Sequence, residues 1–325
     1  MKKNRFVLFI IFICCVSFLN AGIWPFNGDK HLLNQAREEY DGGKYDDAVV
    51  SLNAFLDKGT VKRREKRAYL LLGQSYEKLN RPEKALNTYL EGIALNPKDE
   101  ALKLHLGALY ERSGMYSQAV EQYSAALALS PSDELAVLGL ARGYAKEGFF
   151  SKAIDFYSQY RKIKDNPDAS FWADYAEAYY RHKMYNEALF ALAMALEQKP
   201  EEASYWFLSA KINRALQSGK DAYANIARAA ALAPSDEEIF YTNVYWLQED
   251  GFLQDASSML QPKLDAGRPD AIALYMKYLI LKAQGKEKEG RKYLERVVAY
   301  GEAGFILHIS KEILKNEINQ GCKHD

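Results

Sequence analysis

Five histidines, His31, His105, His182, His308 and His324, are the side chains best suited to move protons or bind a metal near neutral pH, and they stand singly along the chain. No His-Glu-x-x-His, Cys-x-x-Cys, Gly-x-Ser-x-Gly or glycine-rich phosphate loop accompanies them. Glu38-Glu39, Glu201-Glu202 and Glu237-Glu238 have the composition of acid pairs. Neighbouring helical residues point about 100° apart, however, and glutamates at helix starts complement the helix dipole. The run Lys62-Arg63-Arg64 with Lys66-Arg67 has the chemistry to bind phosphate or an acidic lipid, and it equally suits a solvated junction between two elements. No convergent catalytic set emerges, so the expectation is a non-enzyme with neither cofactor nor metal.

The first residues read as an address. Lys2, Lys3 and Arg5 precede the apolar run Phe6 to Leu19, which is short for a membrane-crossing helix of about 20 residues. Residues 1–21 fit an export signal cleaved after Ala21, with 22–28 as a linker, and predict a periplasmic or envelope location. The alternative is a lipoprotein acylated at Cys14 or Cys15, although the preceding Phe12 and Ile13 are bulky. Loss of the signal leaves only Cys322, hence no internal disulfide, and three more acidic than basic residues. Such a balance excludes a basic nucleic-acid face. Association with a membrane would then need a lipid or a partner.

What positions side chains in this chain is a period. KALNTYLEGIALNP at Lys84–Pro97 returns as QAVEQYSAALALSP at Gln118–Pro131, EALFALAMALEQKP at Glu187–Pro200 and DAYANIARAAALAP at Asp221–Pro234. A preceding helix is marked by Leu72-Gly73 with Tyr76, Leu106-Gly107 with Tyr110, and Leu140-Ala141 with Tyr144. Each pair continues to an alanine (Ala85, Ala119, Ala153, Ala188, Ala222) and, four places on, to a large apolar residue (Tyr89, Tyr123, Tyr157, Leu192, Ile226). Spacings of three and four put these on one helical stripe. The small residues let two backbones approach, and the proline ends the second helix. Each unit is a helical hairpin that needs neighbours to bury both faces.

The pattern resembles the tetratricopeptide repeat, a 34-residue helix-turn-helix with Trp, Leu-Gly, Tyr, Ala, Phe and Pro at these offsets. It implies an all-α fold, a right-handed α-solenoid over 29–304, with units at 29–62, 66–99, 100–133, 134–167, 169–202, 203–236, 237–270 and 271–304. Trp172 and Trp206 hold the tryptophan place of the fifth and sixth units, and Ala36 and Ala48 mark the first. The seventh and eighth units depart from the pattern at Val244, Lys263, Tyr278 and Gly290. Residues 305–325 read as a capping helix and tail, with Phe305, Ile309, Ile313 and Leu314 on one face.

The resemblance also implies a function: a protein or peptide partner bound in the groove lined by first helices. Carried over place by place, the late units would present Phe207, Lys211 and Arg214, then Tyr241, Tyr245 and Gln248, then Ile272, Tyr275, Leu279 and Lys282. Aromatic rings there would anchor apolar side chains of a partner, and the cations would neutralise its carboxylates. The Lys and Asn pair by which some members hold acidic chaperone tails is replaced by Leu33, Arg37, Leu70 and Gln74, so that ligand class is not expected. The rival expectation is a non-catalytic subunit of a membrane-associated assembly that uses its ends and outer face.

Overall fold

The computed structural model describes residues 27–57, 65–267, 270–301 and 304–321. The export signal and most of the linker lie outside these residues, as do Cys322 and the end of the tail. The described residues form seventeen helices: α1 (Asn27–Asp41), α2 (Tyr45–Leu56), α3 (Lys66–Lys78), α4 (Pro82–Leu95), α5 (Glu100–Arg112), α6 (Tyr116–Leu127), α7 (Glu134–Lys146), α8 (Phe150–Ile163), α9 (Ala169–Arg181), α10 (Tyr185–Gln198), α11 (Ala203–Ala215), α12 (Gly219–Leu232), α13 (Glu237–Glu249), α14 (Leu253–Asp265), α15 (Ala271–Ala283), α16 (Glu287–Tyr300) and α17 (Phe305–Gly321). None of these is long and apolar enough to cross a membrane.

Two compact units divide the chain. In the first, which runs through Asp168 and includes Arg181–Lys183, α1 packs on α2, α3 on α4, α5 on α6 and α7 on α8, and each hairpin stacks on the next. In the second, built from Ala169–Tyr180 and the chain from Met184 on, α11 pairs with α12, α13 with α14 and α15 with α16, while α17 lies against α15 and α16.

The hairpins close where small meets large. Ala85, Ala119, Ala153, Ala188, Ala222 and Ala256 are wholly buried. A Cβ added at Gly73 would lie 2.2 Å from the Tyr89 ring, and one at Gly107 would lie 2.9 Å from the Tyr123 ring. The irregular eighth hairpin obeys the same volume rule with its members exchanged: the large Tyr278 stands on the first helix, and Gly290 on the second leaves room for it, a Cβ there falling 3.1 Å from the ring.

Two local devices set the helix starts and turns. The side chains of Asp99, Asp133, Asp236 and Asp270 accept the backbone N–H of Leu102, Ala136, Ile239 and Ala273, capping α5, α7, α13 and α15. Between the helices of a hairpin, one residue adopts positive φ: Gly43, Asn80, Gly114, Gly148, Lys183, Gln217, Gly251 and Gly285. Gln217, at φ 61°, carries a Cβ where most of these turns have glycine or asparagine. Left-handed backbone costs an ordinary L-residue about 1–2 kcal/mol, partly offset by the chain entropy that glycine loses on folding. Gln217→Gly should therefore raise stability by about 0.5–1 kcal/mol, read as a higher urea midpoint. A lowered midpoint would show that the Gln217 side chain contributes more than its backbone strain costs.

Candidate functional site

In the second unit, α13 and the start of α15 enclose an open concavity of about 440 Å³, lined by Glu237, Glu238, Tyr241, Thr242, Tyr245, Ile272 and Met276. The spacing explains the lining: Glu238, Tyr241 and Tyr245 follow one another at three and four residues along α13 and so share a stripe. Tyr245 is 47% exposed and Ile272 40%, whereas Met276 is buried beneath them.

Tyr241 joins wall to floor. It is half-buried, and its hydroxyl donates to Asp270, whose other oxygen accepts the Ala273 N–H at 2.7 Å and starts α15. Burial, and then the bond to Asp270, push its phenol well above the ordinary range. The Tyr245 hydroxyl donates to Glu249, and that bond raises its pKa as well. Both phenols stay protonated donors, and their rings face the concavity with partial negative charge. Glu237 and Glu238 occupy the first turn of α13, where they complement its dipole.

Of the residues expected to form a groove, the structure brings Tyr241, Tyr245 and Ile272 together. Tyr275 is half-buried beside Tyr278, 6.1 Å between ring centres, and does not line the concavity. Phe207 needs correction. It is only 6% exposed and belongs to a core cluster with Ala210, Ala222, Ile226, Ile239 and Trp246. The cluster also holds Ala229, and the Lys211 ammonium lies 4.3 Å from the centre of the Phe207 ring.

Arg214 is the second correction. Its guanidinium donates to both oxygens of Asp250 at 2.6 and 2.9 Å and to Glu249 at 3.3 Å, and lies 5.1 Å from the Trp246 ring. Tyr223 also donates to Asp250, at 2.8 Å. Arg214 and Tyr223 together hold the Asp250 carboxyl below its ordinary range. This geometry is a clamp between the ends of α11 and α13, so Arg214 is already committed and does not await a ligand carboxylate. Lys211 is partly exposed and sits 3.9 Å from Glu238, at the outer limit of an ion pair.

The residues not singled out on the groove are Glu237, Glu238, Thr242 and Met276. Glu237 is held by the Lys263 ammonium at 3.0 Å, which also lies 5.5 and 5.8 Å from the Phe240 and Tyr241 rings. Lys263 replaces a small residue of the repeat pattern, and its reach to Glu237 gives that departure a structural use. The signal was the spacing itself, since Glu238 begins the stripe that Tyr241 and Tyr245 continue.

The first unit holds a smaller concavity of about 230 Å³ between α5 and α7, lined by Leu104, His105, Ala108, Leu135, Leu138 and Arg142 among others, with Tyr123 at its side. Gln74 Nε2 lies 3.0 Å from His105 Nε2, and burial keeps the imidazole below its ordinary range and hence neutral. A neutral ring accepting an amide N–H is a packing histidine. Among the described residues no group of three or more His, Cys, Asp or Glu side chains is placed to hold a metal ion.

Hairpins joined by small–large contacts, with first helices carrying an exposed aromatic face, define an all-α repeat protein. Tetratricopeptide-repeat family profiles match residues 33–100 and 100–143. The profiles place tetratricopeptide repeats over residues 33–143. No curated protein matches the sequence. Among solved structures, a tetratricopeptide-repeat protein from Parabacteroides merdae is 15% identical, with a TM-score of 0.53 over 88% of this chain and 97% of its own. PilF from Pseudomonas aeruginosa is 14% identical, with a TM-score of 0.55 over 67% of this chain and 97% of its own. YrrB, described as a tetratricopeptide-repeat protein with an unusual peptide-binding site, is 16% identical, with a TM-score of 0.53 over 59% of this chain and 96% of its own. At these identities the likeness establishes the fold. Proteins of this fold are generally non-catalytic scaffolds for protein partners.

Proposed function

We propose that the chain is an interaction scaffold of the bacterial envelope that docks a partner segment on the α13–α15 face of its second unit. The observation that carries this reading is the open concavity in which Tyr241, Tyr245 and Ile272 surround buried Met276. Rings with few rotatable bonds bury much area at small entropic cost, the usual character of an anchor point. YrrB supports the reading by example, since it is described as having a peptide-binding site on the same fold. The envelope location rests on the export pattern of residues 1–21.

Tyr245 is the residue to test. Its ring is 47% exposed, so its removal spares the core, whereas Tyr241 also holds the Asp270 cap and is better changed to Phe. Crosslinking from position 245 in the native cells identifies the partner, and Tyr245→Ala should then weaken its capture about tenfold or more, roughly the 1.4 kcal/mol that one well-packed ring supplies. Lys152→Ala on α8 should leave capture unchanged. If Tyr245→Ala keeps its helical content and captures the partner like the parent, the docking face is lost, and a subunit working through its ends and outer face explains the chain better.

A further inference from the structure

The face offers more than apolar area, because its charges select what can enter. We infer that the α13–α15 concavity takes a cationic segment, a lysine or arginine flanked by aliphatic residues, and not the acidic stretch that Lys211 and Arg214 suggest from sequence. This rests on the docking reading above and adds the chemistry of the occupant.

Three observations converge. First, cations near a would-be carboxylate are occupied: of those expected on the groove, Arg214 is doubly bonded to Asp250 and Lys282 is 3.4 Å from Glu287, and Lys263, beside the concavity, is 3.0 Å from Glu237. Second, Glu238 lines the concavity with a side chain 73% exposed, and Lys211 neutralises it only from 3.9 Å. At such range and exposure an ion pair is worth little, so the carboxylate remains available to an incoming cation. Third, the protein already fills equivalent positions with its own ammonium groups. Lys263 lies over Phe240 and Tyr241 while reaching Glu237, and Lys211 lies over Phe207 while approaching Glu238. An aromatic face beside a glutamate holds Lys263, and an aromatic face carries Lys211, whose approach to Glu238 is the weak contact just described.

Tyr245 and Glu238 line the same concavity two turns apart on α13, and both are open to solvent. Donation of the phenolic protons of Tyr241 and Tyr245 to Asp270 and Glu249 enriches the two ring faces in electron density, which strengthens their hold on a cation. A long stem ending in a charge fits the shape: methylenes lie along Ile272 and Met276, and the head reaches Glu238.

The probes are fluorescein-labelled peptides alternating leucine with arginine, with glutamine or with glutamate, titrated into the full chain and followed by anisotropy. The leucine–arginine peptide should bind about tenfold or more tighter than the leucine–glutamate one, a difference of roughly 1.4 kcal/mol that shrinks as salt is added. Glu238→Gln should weaken the leucine–arginine peptide several-fold and leave the leucine–glutamine peptide alone, while Lys211→Gln should tighten the former by uncovering Glu238. Tyr245→Ala should weaken both, which separates docking in the concavity from general attraction to an acidic surface. Equal affinities that are all lost in Tyr245→Ala would overturn the cationic assignment and keep the docking face. Preference for glutamate, or indifference to Glu238→Gln, also overturns the assignment. Failure of every peptide to bind the folded parent would end both readings.

Discussion

Gly73→Ala should destabilise the first unit by about 2–3 kcal/mol, near the upper end for overpacking a close-packed interior. The added Cβ would lie 2.2 Å from Tyr89 Cε1 and 2.5 Å from its Cζ, distances that require the ring to move. That ring has nowhere to go: it is wholly buried, and its hydroxyl donates to Glu77, which also accepts the Arg112 guanidinium from α5. Displacing Tyr89 thus disturbs the crossing of α3 with α4 and the bond to the next hairpin. Gly219→Ala is the control, since nothing lies within 4 Å of a Cβ there and its helix gains propensity. In a Tyr89→Leu background the same Gly73→Ala change should cost much less, because the shorter side chain vacates the contact. Urea midpoints of the parent and the four variants decide the matter, and equal costs for Gly73→Ala and Gly219→Ala would refute the contact.

That crossing was readable from the chain because Gly73 and Tyr89 sit in one hairpin and recur as Gly107 and Tyr123. Local pairs that repeat at a fixed interval leave a trace in the sequence. Phe207 left a misleading one. Its place on α11 is where the family turns a side chain outward, but its burial depends on Ile239 and Trp246 of a later hairpin, and no single repeat contains that information. Arg214 was misread for the same reason, since Asp250 is 36 residues away. A trace of this pairing existed: Glu77 and Arg112, 35 residues apart, make the same kind of link in the first unit, so opposite charges about one period apart deserve pairing before either is assigned to a ligand. Charge on the concavity follows suit. Once Arg214 and Lys263 are spent inside the protein, Glu238 sets the sign that a partner meets.

The degenerate end of the array shows the volume rule surviving the loss of its residue pattern, and this yields the largest expected effect. Tyr278→Ala should cost about 3–5 kcal/mol, as large-to-small changes at buried aromatic positions do. Tyr278 is 1% exposed, and Gly290 stands against its ring where the repeat usually has alanine. The ring also places its hydroxyl 3.3 Å from the Lys282 ammonium, itself 3.4 Å from Glu287, but this exposed pair adds little to the loss. If Gly290 is the slot for Tyr278, adding bulk there should harm the parent and help the truncated protein. Gly290→Val alone should therefore destabilise by about 1–3 kcal/mol, whereas Gly290→Val combined with Tyr278→Ala should be less destabilised than the sum of the two changes, because the valine fills part of the cavity. Strict additivity would mean that the two residues do not share a volume, and that the eighth hairpin closes by some contact other than this exchanged pair.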